Sequence, residues 1–162
     1  MNDTRQKLIR ILQNAYSGER AAYAYRGHWK SLKKSAAERE RIRQIEEEEW
    51  THRREVGKWL EVLEAKPRRF KEAMLWTISR TLGATCHISG WFFPMYFAGR
   101  LESGNVKEYE DAAGFARELE MHECYDEMMQ MAQVELEHEE FFRSVVAHHR
   151  LLPVTKRFFR WS

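Results

Sequence analysis

The sequence contains few of the residues that interrupt helices. It has three Pro and eight Gly in 162 residues, while Ala, Glu, Arg, Leu and Met are frequent. These frequent residues favour helix. Alternating apolar and polar runs bounded by turn dipeptides, which would indicate strands, are absent from the sequence. The composition therefore predicts an all-α protein, and the length suits one domain.

Cysteine is also scarce. The two cysteines, Cys86 and Cys124, do not form a Cys-x-x-Cys pair. Their spacing excludes a rubredoxin-type iron site, a zinc ribbon and a disulfide framework, and it fits a reducing compartment. The stretch 1–14 is charged throughout and does not resemble a signal peptide. We therefore expect a cytoplasmic protein.

A large excess of charge of one sign is lacking. The net charge is +2, and four of the 27 basic residues lie in the last 13 positions, which hold no acidic residue. The rest of the chain therefore has 23 basic residues against 25 acidic ones. A nucleic-acid-binding surface requires a larger basic excess on the folded body, so we expect no nucleic-acid partner.

The stretch from Ile42 to Leu63 is the most informative part of the sequence. Residues at helical spacing form an apolar stripe in which a carboxylate and an imidazole occupy the centre: Ile42, Ile45, Glu49, His52, Val56, Trp59 and Leu63. A carboxylate buried there without a partner would cost several kcal/mol. A metal ion removes this cost, and Glu and His at i and i+3 can reach the same ion.

A second Glu-x-x-His unit, Glu135 to His138, lies at the centre of a similar stripe near the end of the chain. Two further glutamates, Glu19 and Glu102, each lie within an apolar stripe of their own. Two Glu-x-x-His units and two inward Glu residues on four helices are the ligand set of a di-iron carboxylate bundle. Four carboxylates also balance the charge of two ferrous ions. Three nearby glutamates are rival ligands: Glu46, Glu108 and Glu110.

The chain divides into four long helices and one further helical segment. The predicted helices run from Thr4 to Lys33, from an N-cap at Ser35 to Ala65, from Phe70 to Ser89, from the first turn at Pro94 through Glu102, and from Leu119 to His149. Gly18 lies inside the first helix and indicates close packing or space for a ligand. The stretch Ser103–Asn105 lowers the helix propensity of the predicted helix that contains Glu102. We expect the bundle to cover 1–150 and a basic, aromatic tail to cover 151–162.

An apolar segment precedes Glu102. No residue from Thr81 to Gly99 has a formal charge when His is neutral, but Gly and Pro interrupt the segment, which favours a partly exposed bundle helix over a membrane span. The aromatic run Trp91–Phe97 is either core or a wall along which a substrate enters. The tail suits a membrane interface, and docking on the bundle explains it equally well.

These motifs resemble those of ferritin-like di-iron proteins, and most closely those of the demethoxyubiquinone hydroxylase family of ubiquinone biosynthesis. The resemblance covers roughly residues 15–140. It is carried by Ser17-Gly18-Glu19, Glu49-x-x-His52, Lys66-Pro67, Leu75-Trp76, Glu102 with Tyr109, and Val134-Glu135-Leu136-Glu137-His138. It implies a ferritin-like four-helix bundle with an additional apolar helical segment between the two helix pairs. The implied metal ligands are Glu19, Glu49, His52, Glu102, Glu135 and His138.

The resemblance also implies a monooxygenase that uses two iron ions and O2 to hydroxylate a quinone-like substrate. Tyr109 is similar to a tyrosine of the family. Tyr109 follows Glu102 by seven residues. The residue at the same spacing after Glu19 is Arg26, and Tyr25 directly precedes it. We therefore take Tyr109 and Tyr25 as candidate catalytic residues, although Tyr23 and Tyr25 also suit ordinary core positions. Electrons must come from an external donor, because flavin and iron–sulfur motifs are absent from the sequence.

Two other functions remain open at this point. Rubrerythrin- or ferritin-like proteins use a similar ligand set to reduce peroxide or oxidise iron, and a helical adaptor at the membrane would keep the cluster for structure alone. A lipid-borne substrate predicts peripheral contact with the inner face of the membrane. The sequence does not distinguish iron from manganese, or a monomer from a homo-oligomer.

Overall fold

The computed structural model describes residues 2–33 and 35–161. Met1, where the predicted bundle begins, and Ser162, where the predicted tail ends, lie outside the described residues, as does Lys34.

The described residues form seven α-helices and a 3-10 turn. They are α1 Asn2–Gly18, the 3-10 turn Glu19–Ala21, α2 Ala22–Ser31, α3 Ala36–Val62, α4 Arg69–Thr85, α5 Phe92–Glu118, α6 His122–Val146 and α7 Leu152–Phe158. No strand occurs in the part of the chain that the structure describes, so the prediction of an all-α protein is confirmed.

The long helices pack as a bundle of two pairs. α5 packs along α6, and the α1–α2 segment packs along α3. α1 also contacts α5, which brings the two pairs together, and α4 packs against α2 on the outside of the bundle. α4 occupies the position in the sequence, between the two pairs, where the additional helical segment is predicted. The uncharged segment Thr81–Gly99 is not one bundle helix, because it spans the end of α4, a non-helical stretch at 86–91 and the beginning of α5.

Several helix ends differ from the predicted ones. The first helix is not continuous, because the 3-10 turn separates α1 from α2. Gly18 does not mark close packing, since a Cβ built there meets no atom within 4 Å. The helix with Glu102 runs unbroken through Ser103 and Gly104. Ser35 caps α3 as predicted, since its hydroxyl accepts a hydrogen bond from the Glu38 backbone N–H at 3.2 Å.

A polar layer separates two apolar clusters inside the bundle. Along α3, buried Ile42 and Ile45 belong to one cluster and Val56 and Leu60 to the other, with Glu49 and His52 in between. α6 shows the same order in the opposite chain direction. Met128 belongs to the cluster of Val56 and Leu60, Phe142 belongs to the cluster of Ile42 and Ile45, and Glu135 and His138 lie between them. The layer is therefore flanked by apolar side chains toward both ends of the bundle.

Two contacts fix α4 against the bundle. A Cβ on Gly27 of α2 would lie 2.1 Å from the carbonyl oxygen of Gly83 of α4, so only glycine allows the two backbones to approach this closely. Near the other end of α4, the guanidinium of Arg53 pairs with the Glu72 carboxylate through two hydrogen bonds of 2.7 and 2.8 Å.

The outer surface of α4 and the beginning of α5 is unusually apolar. The large apolar side chains exposed on α4, on the connection after it and on the beginning of α5 are Phe70, Met74, Trp76, Ile78, Leu82, Ile88, Phe93, Phe97 and Leu101. Of the helices that the structure describes, none combines the length and the apolar character needed to cross a membrane.

The C-terminal tail docks on the bundle through Trp161. The Trp161 side chain is buried, and its indole N–H donates a 2.7 Å hydrogen bond to Glu139. Its ring occupies the space that a Cβ on Gly99 would fill. Phe158 and Phe159 remain exposed. Of the two explanations of the tail, docking therefore accounts for Trp161, and its exposed phenylalanines are the part that remains accessible to a membrane.

Candidate metal centre

The structure brings the six predicted metal ligands together in the polar layer. They fall into two overlapping groups, and in each group the candidate ligand atoms lie within 4.8 Å of one another. The first group, called the first metal position because it could hold an ion, consists of Glu19 and His52 with Glu49 and Glu135. The second metal position consists of Glu102 and His138 with the same two carboxylates. This arrangement could hold metal ions, with Glu49 and Glu135 placed to bridge them.

Helical spacing explains why these side chains converge. The two residues of each Glu-x-x-His unit project from the same face of α3 or α6. Glu102 projects from α5, and Glu19 begins the 3-10 turn. All six side chains are buried, and Glu102, Glu135 and His138 have no exposed surface.

Three atoms of the cluster are buried without a hydrogen-bond partner among the described residues: Glu19 Oε2, Glu49 Oε1 and His138 Nδ1. His138 Nδ1 lies only 3.3 Å from Glu49 Oε1, without the geometry of a hydrogen bond. Buried polar atoms are normally paired. Carboxylate oxygens and an imidazole nitrogen left unpaired at one point are the donor set that iron, manganese or zinc takes, so the residues fit a metal centre.

The two candidate catalytic tyrosines lie beside the cluster, and each binds a glutamate of the opposite half. The Tyr109 hydroxyl donates to Glu19, and the Tyr25 hydroxyl donates to Glu102. Both rings are buried. Each tyrosine therefore holds the carboxylate that belongs to one metal position alone.

The 3-10 turn explains how Tyr25 reaches the site from an unusual spacing. Tyr109 follows Glu102 by two α-helical turns, whereas Tyr25 follows Glu19 by one residue fewer. Residues advance by about 100° in an α-helix and about 120° in a 3-10 helix. The three residues of the turn therefore add roughly 60°, which rotates Tyr25 back toward the face of Glu19.

Sequence reasoning missed two residues that hold the ligands. Glu48 accepts a 2.6 Å hydrogen bond from Nε2 of His138 and is itself paired with Arg41 at 2.9 Å. The Asn105 amide donates to Glu102 at 2.8 Å. Glu48 lies within a dense run of charge that indicates a solvated face, so its role is not visible in the sequence. Asn105 lies on the stripe of Glu102, and a polar residue at that position was the available signal.

The rival glutamates point elsewhere. Glu46 is buried but accepts hydrogen bonds from Arg26 at 2.9 Å and from the Trp29 indole at 2.8 Å. Glu108 and Glu110 belong to neither group of candidate ligands. The structure therefore clusters the glutamates that helical phase selects and leaves these three alternatives outside the cluster.

Burial and neighbouring charges shift the pKa values of the clustered side chains when no metal is bound. Burial and the neighbouring Glu49 carboxylate raise the pKa of Glu19 well above its ordinary value, and burial with Glu135 does the same for Glu102. Burial would also raise the pKa of Glu135, but its contacts with His138, His52 and Glu102 outweigh burial and lower it to about 2.

His138 completes this pattern. Burial would lower its pKa, but the surrounding carboxylates of Glu135, Glu48 and Glu49 outweigh burial and raise the pKa to about 12. In the metal-free cluster the raised pKa values of Glu19, Glu102 and His138 favour their protonated forms, and a metal ion must displace these protons.

An apolar cavity of about 330 Å³ adjoins the second metal position. It lies between α2, α4 and the beginning of α5, and its lining residues include Ala21, Tyr25, His28, Leu82, Phe93 and Ala98. Tyr25 is the connection, because its ring lines the cavity and its hydroxyl binds Glu102. A cavity of this size and lining suits a small apolar molecule.

A second cavity, of about 370 Å³, lies on the other side of the cluster between α3 and α6. Its lining includes His52 of the first metal position and four glutamates: Glu48, Glu55, Glu127 and Glu137. This acidic cavity suits a cation. The candidate metal centre therefore lies between an apolar cavity and an acidic cavity.

Comparisons of the chain with protein-family models, with curated proteins and with solved structures found no match.

Proposed function

We propose that this protein is a di-iron monooxygenase with a ferritin-like arrangement of its four long helices, and that it hydroxylates a small, quinone-like ring with O2. The observation that carries the proposal is the apolar cavity that meets the ligand cluster at Tyr25 and Glu102. A site that handled only iron or peroxide would not require an apolar cavity beside it.

The metal would be held by Glu19, His52, Glu102 and His138 as terminal ligands and by Glu49 and Glu135 as bridges. When bound, two iron ions supply the redox chemistry with O2; manganese has the same ligand preferences. The overall reaction is R–H plus O2, two electrons and two protons, giving R–OH and water. An external donor supplies the electrons.

The chain's own residues exclude water and hold the ligands in place. Tyr109 and Tyr25 orient the terminal carboxylates by hydrogen bonds, and the apolar clusters on both sides keep the layer dry. Tyr25 is also part of the cavity wall. It would therefore touch the substrate, whereas Tyr109 acts on the ligand alone.

A single-turnover experiment tests this proposal. The iron-loaded, chemically reduced protein is mixed with ¹⁸O2 and a phenol, and the product is analysed by mass spectrometry. We expect a hydroxylated product that carries one ¹⁸O atom. Ala98→Leu, which narrows the cavity without replacing a ligand, should abolish the product while the iron content stays unchanged. Iron oxidation without any hydroxylated product from the wild-type protein would sink the proposal.

Peripheral membrane contact follows from the same proposal. Exposed apolar side chains of α4 and α5 surround the cavity, and Leu82, Phe93 and Phe97 also line it. A lipid-borne substrate would enter through this surface, which fits a cytoplasmic protein on the inner face of the membrane. Lys156 and Arg157, exposed at the end of α7, would add attraction to anionic lipid.

Co-sedimentation with anionic liposomes at low and high salt tests the contact. We expect salt-sensitive binding that Leu82→Ser weakens. Leu136→Ser is the matched control, because Leu136 is a similarly exposed leucine on α6, away from this surface. Equal binding of the two variants, or no binding at low salt, would remove the membrane from the proposal.

The acidic cavity supports a second candidate function, a ferritin- or rubrerythrin-like protein that oxidises iron or reduces peroxide. Its four glutamates beside His52 would draw Fe²⁺ toward the first metal position. The two functions differ in stoichiometry. A ferroxidase continues to oxidise Fe²⁺ added beyond the two ions held per chain, whereas the monooxygenase stops until a reductant and a substrate are supplied.

A further inference from the structure

His28 is a buried polar residue that the metal centre does not use. It lies on α2, one turn after Tyr25, and only 3% of its surface is exposed. Its Nε2 has no hydrogen-bond partner within the part of the chain that the structure describes. Since buried nitrogens are nearly always paired, an unpaired one beside a cavity indicates a partner that is not part of the chain.

The other polar groups of the apolar cavity are already engaged or face water. The Thr85 hydroxyl and the Cys86 thiol both donate to the Leu82 carbonyl, at 2.8 and 3.2 Å. The Tyr25 hydroxyl donates to Glu102, and Ser89 is exposed. Among the lining residues, all of which the structure describes, His28 alone contributes a buried polar atom that is unpaired.

The imidazole of His28 is uncharged near neutral pH, because burial lowers its pKa to about 4. A neutral imidazole accepts a hydrogen bond at one nitrogen and donates at the other, so it suits a carbonyl or hydroxyl oxygen. No charged residue lines this cavity. A carboxylate or phosphate on the ligand would therefore lack a counter-charge there.

The ring of His28 lies alongside that of Tyr25. Both stack against Phe142, with centroid distances of 6.2 Å for His28 and 5.9 Å for Tyr25 and interplanar angles of 13° and 11°. Three residues of α-helix correspond to about 4.5 Å of rise. A molecule held at His28 thus extends toward Tyr25 and the second metal position by about the length of one six-membered ring.

We propose that Nε2 of His28 binds the single oxygen that anchors the substrate, a carbonyl or hydroxyl group on an otherwise apolar ring. The ring then lies along the wall formed by Tyr25, and the carbon to be hydroxylated is the one across the ring from the anchored oxygen. This assignment rests on the proposed function, since it requires a substrate in the cavity.

A pair of probes that differ by one oxygen tests the assignment by binding alone. The affinities of 1-naphthol and naphthalene for the manganese-loaded protein are measured by calorimetry without O2, so that turnover plays no part. We expect the wild-type protein to prefer 1-naphthol by about tenfold, the worth of one hydrogen bond in a buried site. Equal affinity for the two probes, or no binding of 1-naphthol, overturns the assignment.

Two variants of His28 test whether this residue causes the preference for 1-naphthol over naphthalene. His28→Leu should bind both probes equally, with its affinity for naphthalene unchanged, and His28→Gln should keep part of the preference. His87→Gln is the matched control. His87 borders a neighbouring cavity of about 270 Å³ that His28 also lines, so a preference that depends on His87 would place the oxygen in that cavity and overturn the proposal. Unchanged manganese content shows that each variant is folded.

The experiment separates this inference from the proposed function. Loss of the preference in His28→Leu supports the role of His28 even if the iron-loaded protein hydroxylates nothing. Conversely, hydroxylation that proceeds with an unchanged KM and unchanged regiochemistry in His28→Leu overturns the role of His28 and leaves the monooxygenase in place.

Discussion

The carboxylate that belongs to the first metal position alone is Glu19, which lies in a 3-10 turn and receives one hydrogen bond, from Tyr109. At the second it is Glu102, which lies within a continuous α-helix and receives hydrogen bonds from both Tyr25 and Asn105. Glu19 Oε2 has no hydrogen-bond partner among the described residues, whereas both oxygens of Glu102 accept one.

The histidines differ in the same direction. The outer nitrogen of His138 is fixed by Glu48, and Arg41 fixes Glu48 in turn. Glu48 directly precedes the Glu-x-x-His unit of α3. The residue that precedes the unit of α6 is Val134, whose side chain cannot accept a hydrogen bond from His52. His52 instead lines the acidic cavity. The side chains of the second position are therefore fixed by hydrogen bonds in the absence of metal, whereas the first position has fewer such bonds and borders a cavity.

The largest expected effect comes from the carboxylates that both positions share. Glu49→Ala or Glu135→Ala should remove most of the metal from both positions, because each residue belongs to both ligand groups. Metal content measured by mass spectrometry after loading checks this. A variant that still holds two ions per chain would mean that the carboxylates do not bridge.

Removing one terminal ligand should affect one position. Glu102→Ala should lower the metal content by about half, because Glu102 serves only the second metal position. Glu108→Gln is the control, a partly buried glutamate on the same helix that belongs to neither group. The opposite ranking of these two variants would contradict the ligand assignment on α5.

A smaller effect is expected from loosening a ligand without removing it. Glu48→Gln should weaken binding at the second position by about 10- to 100-fold, the usual effect of losing a group that orients a metal-binding histidine. Calorimetric titration should then show the two positions filling together, whereas the wild-type protein fills the second position first. Glu47→Gln, an exposed neighbour paired with Arg43, should change nothing.

The smallest effect concerns the stability of the metal-free protein. Because the pKa of Glu19 is raised above its ordinary 4.5, the folded chain holds more protons than the unfolded chain above about pH 4.5, and stability falls as pH rises. Glu19→Gln removes this penalty. We expect the Tm of the metal-free variant at pH 8 to exceed that of the wild type by a few degrees, since about 1 kcal/mol corresponds to roughly 2–4 °C.

Thermal scans across pH 4–8 provide the control. The advantage of Glu19→Gln over the wild type should shrink as the pH falls toward 4, because the Glu19 carboxyl of the unfolded wild-type chain then takes up a proton as well. With metal added the ranking should reverse, because the wild type gains more from the ion. An advantage that is independent of pH would show that the carboxyl of Glu19 is not the cause.

The sequence predicts the helices and the six clustered side chains because both depend on helical periodicity. Glu49 and His52 interrupt an apolar stripe, and such an interruption is visible without coordinates. The break after Gly18 was not predicted, because α- and 3-10 helices differ by only a small rotation per residue and share the same composition.

The residues around the ligands were harder to predict than the ligands. Glu48 is one of four consecutive glutamates on α3, and its contact with His138 depends on how α3 and α6 are placed in three dimensions. His28 continues the stripe of Tyr25 at helical spacing, so its burial could have been predicted. The cavity beside it could not, because it is enclosed by three helices whose packing depends on long-range contacts.

The contact of Gly27 with Gly83 has a consequence for how sequences related to this one would diverge. Side chains that line the apolar cavity can change size and so admit different molecules, but the spacing of α2 and α4 is set where two backbones touch. Any side chain at Gly27 would force the helices apart and shift Tyr25 and His28 relative to the opposite wall. In a chain that keeps this cavity, we therefore expect glycine at position 27 and a small residue at 83, while Leu82, Phe93 and Ala98 vary with the molecule that is bound.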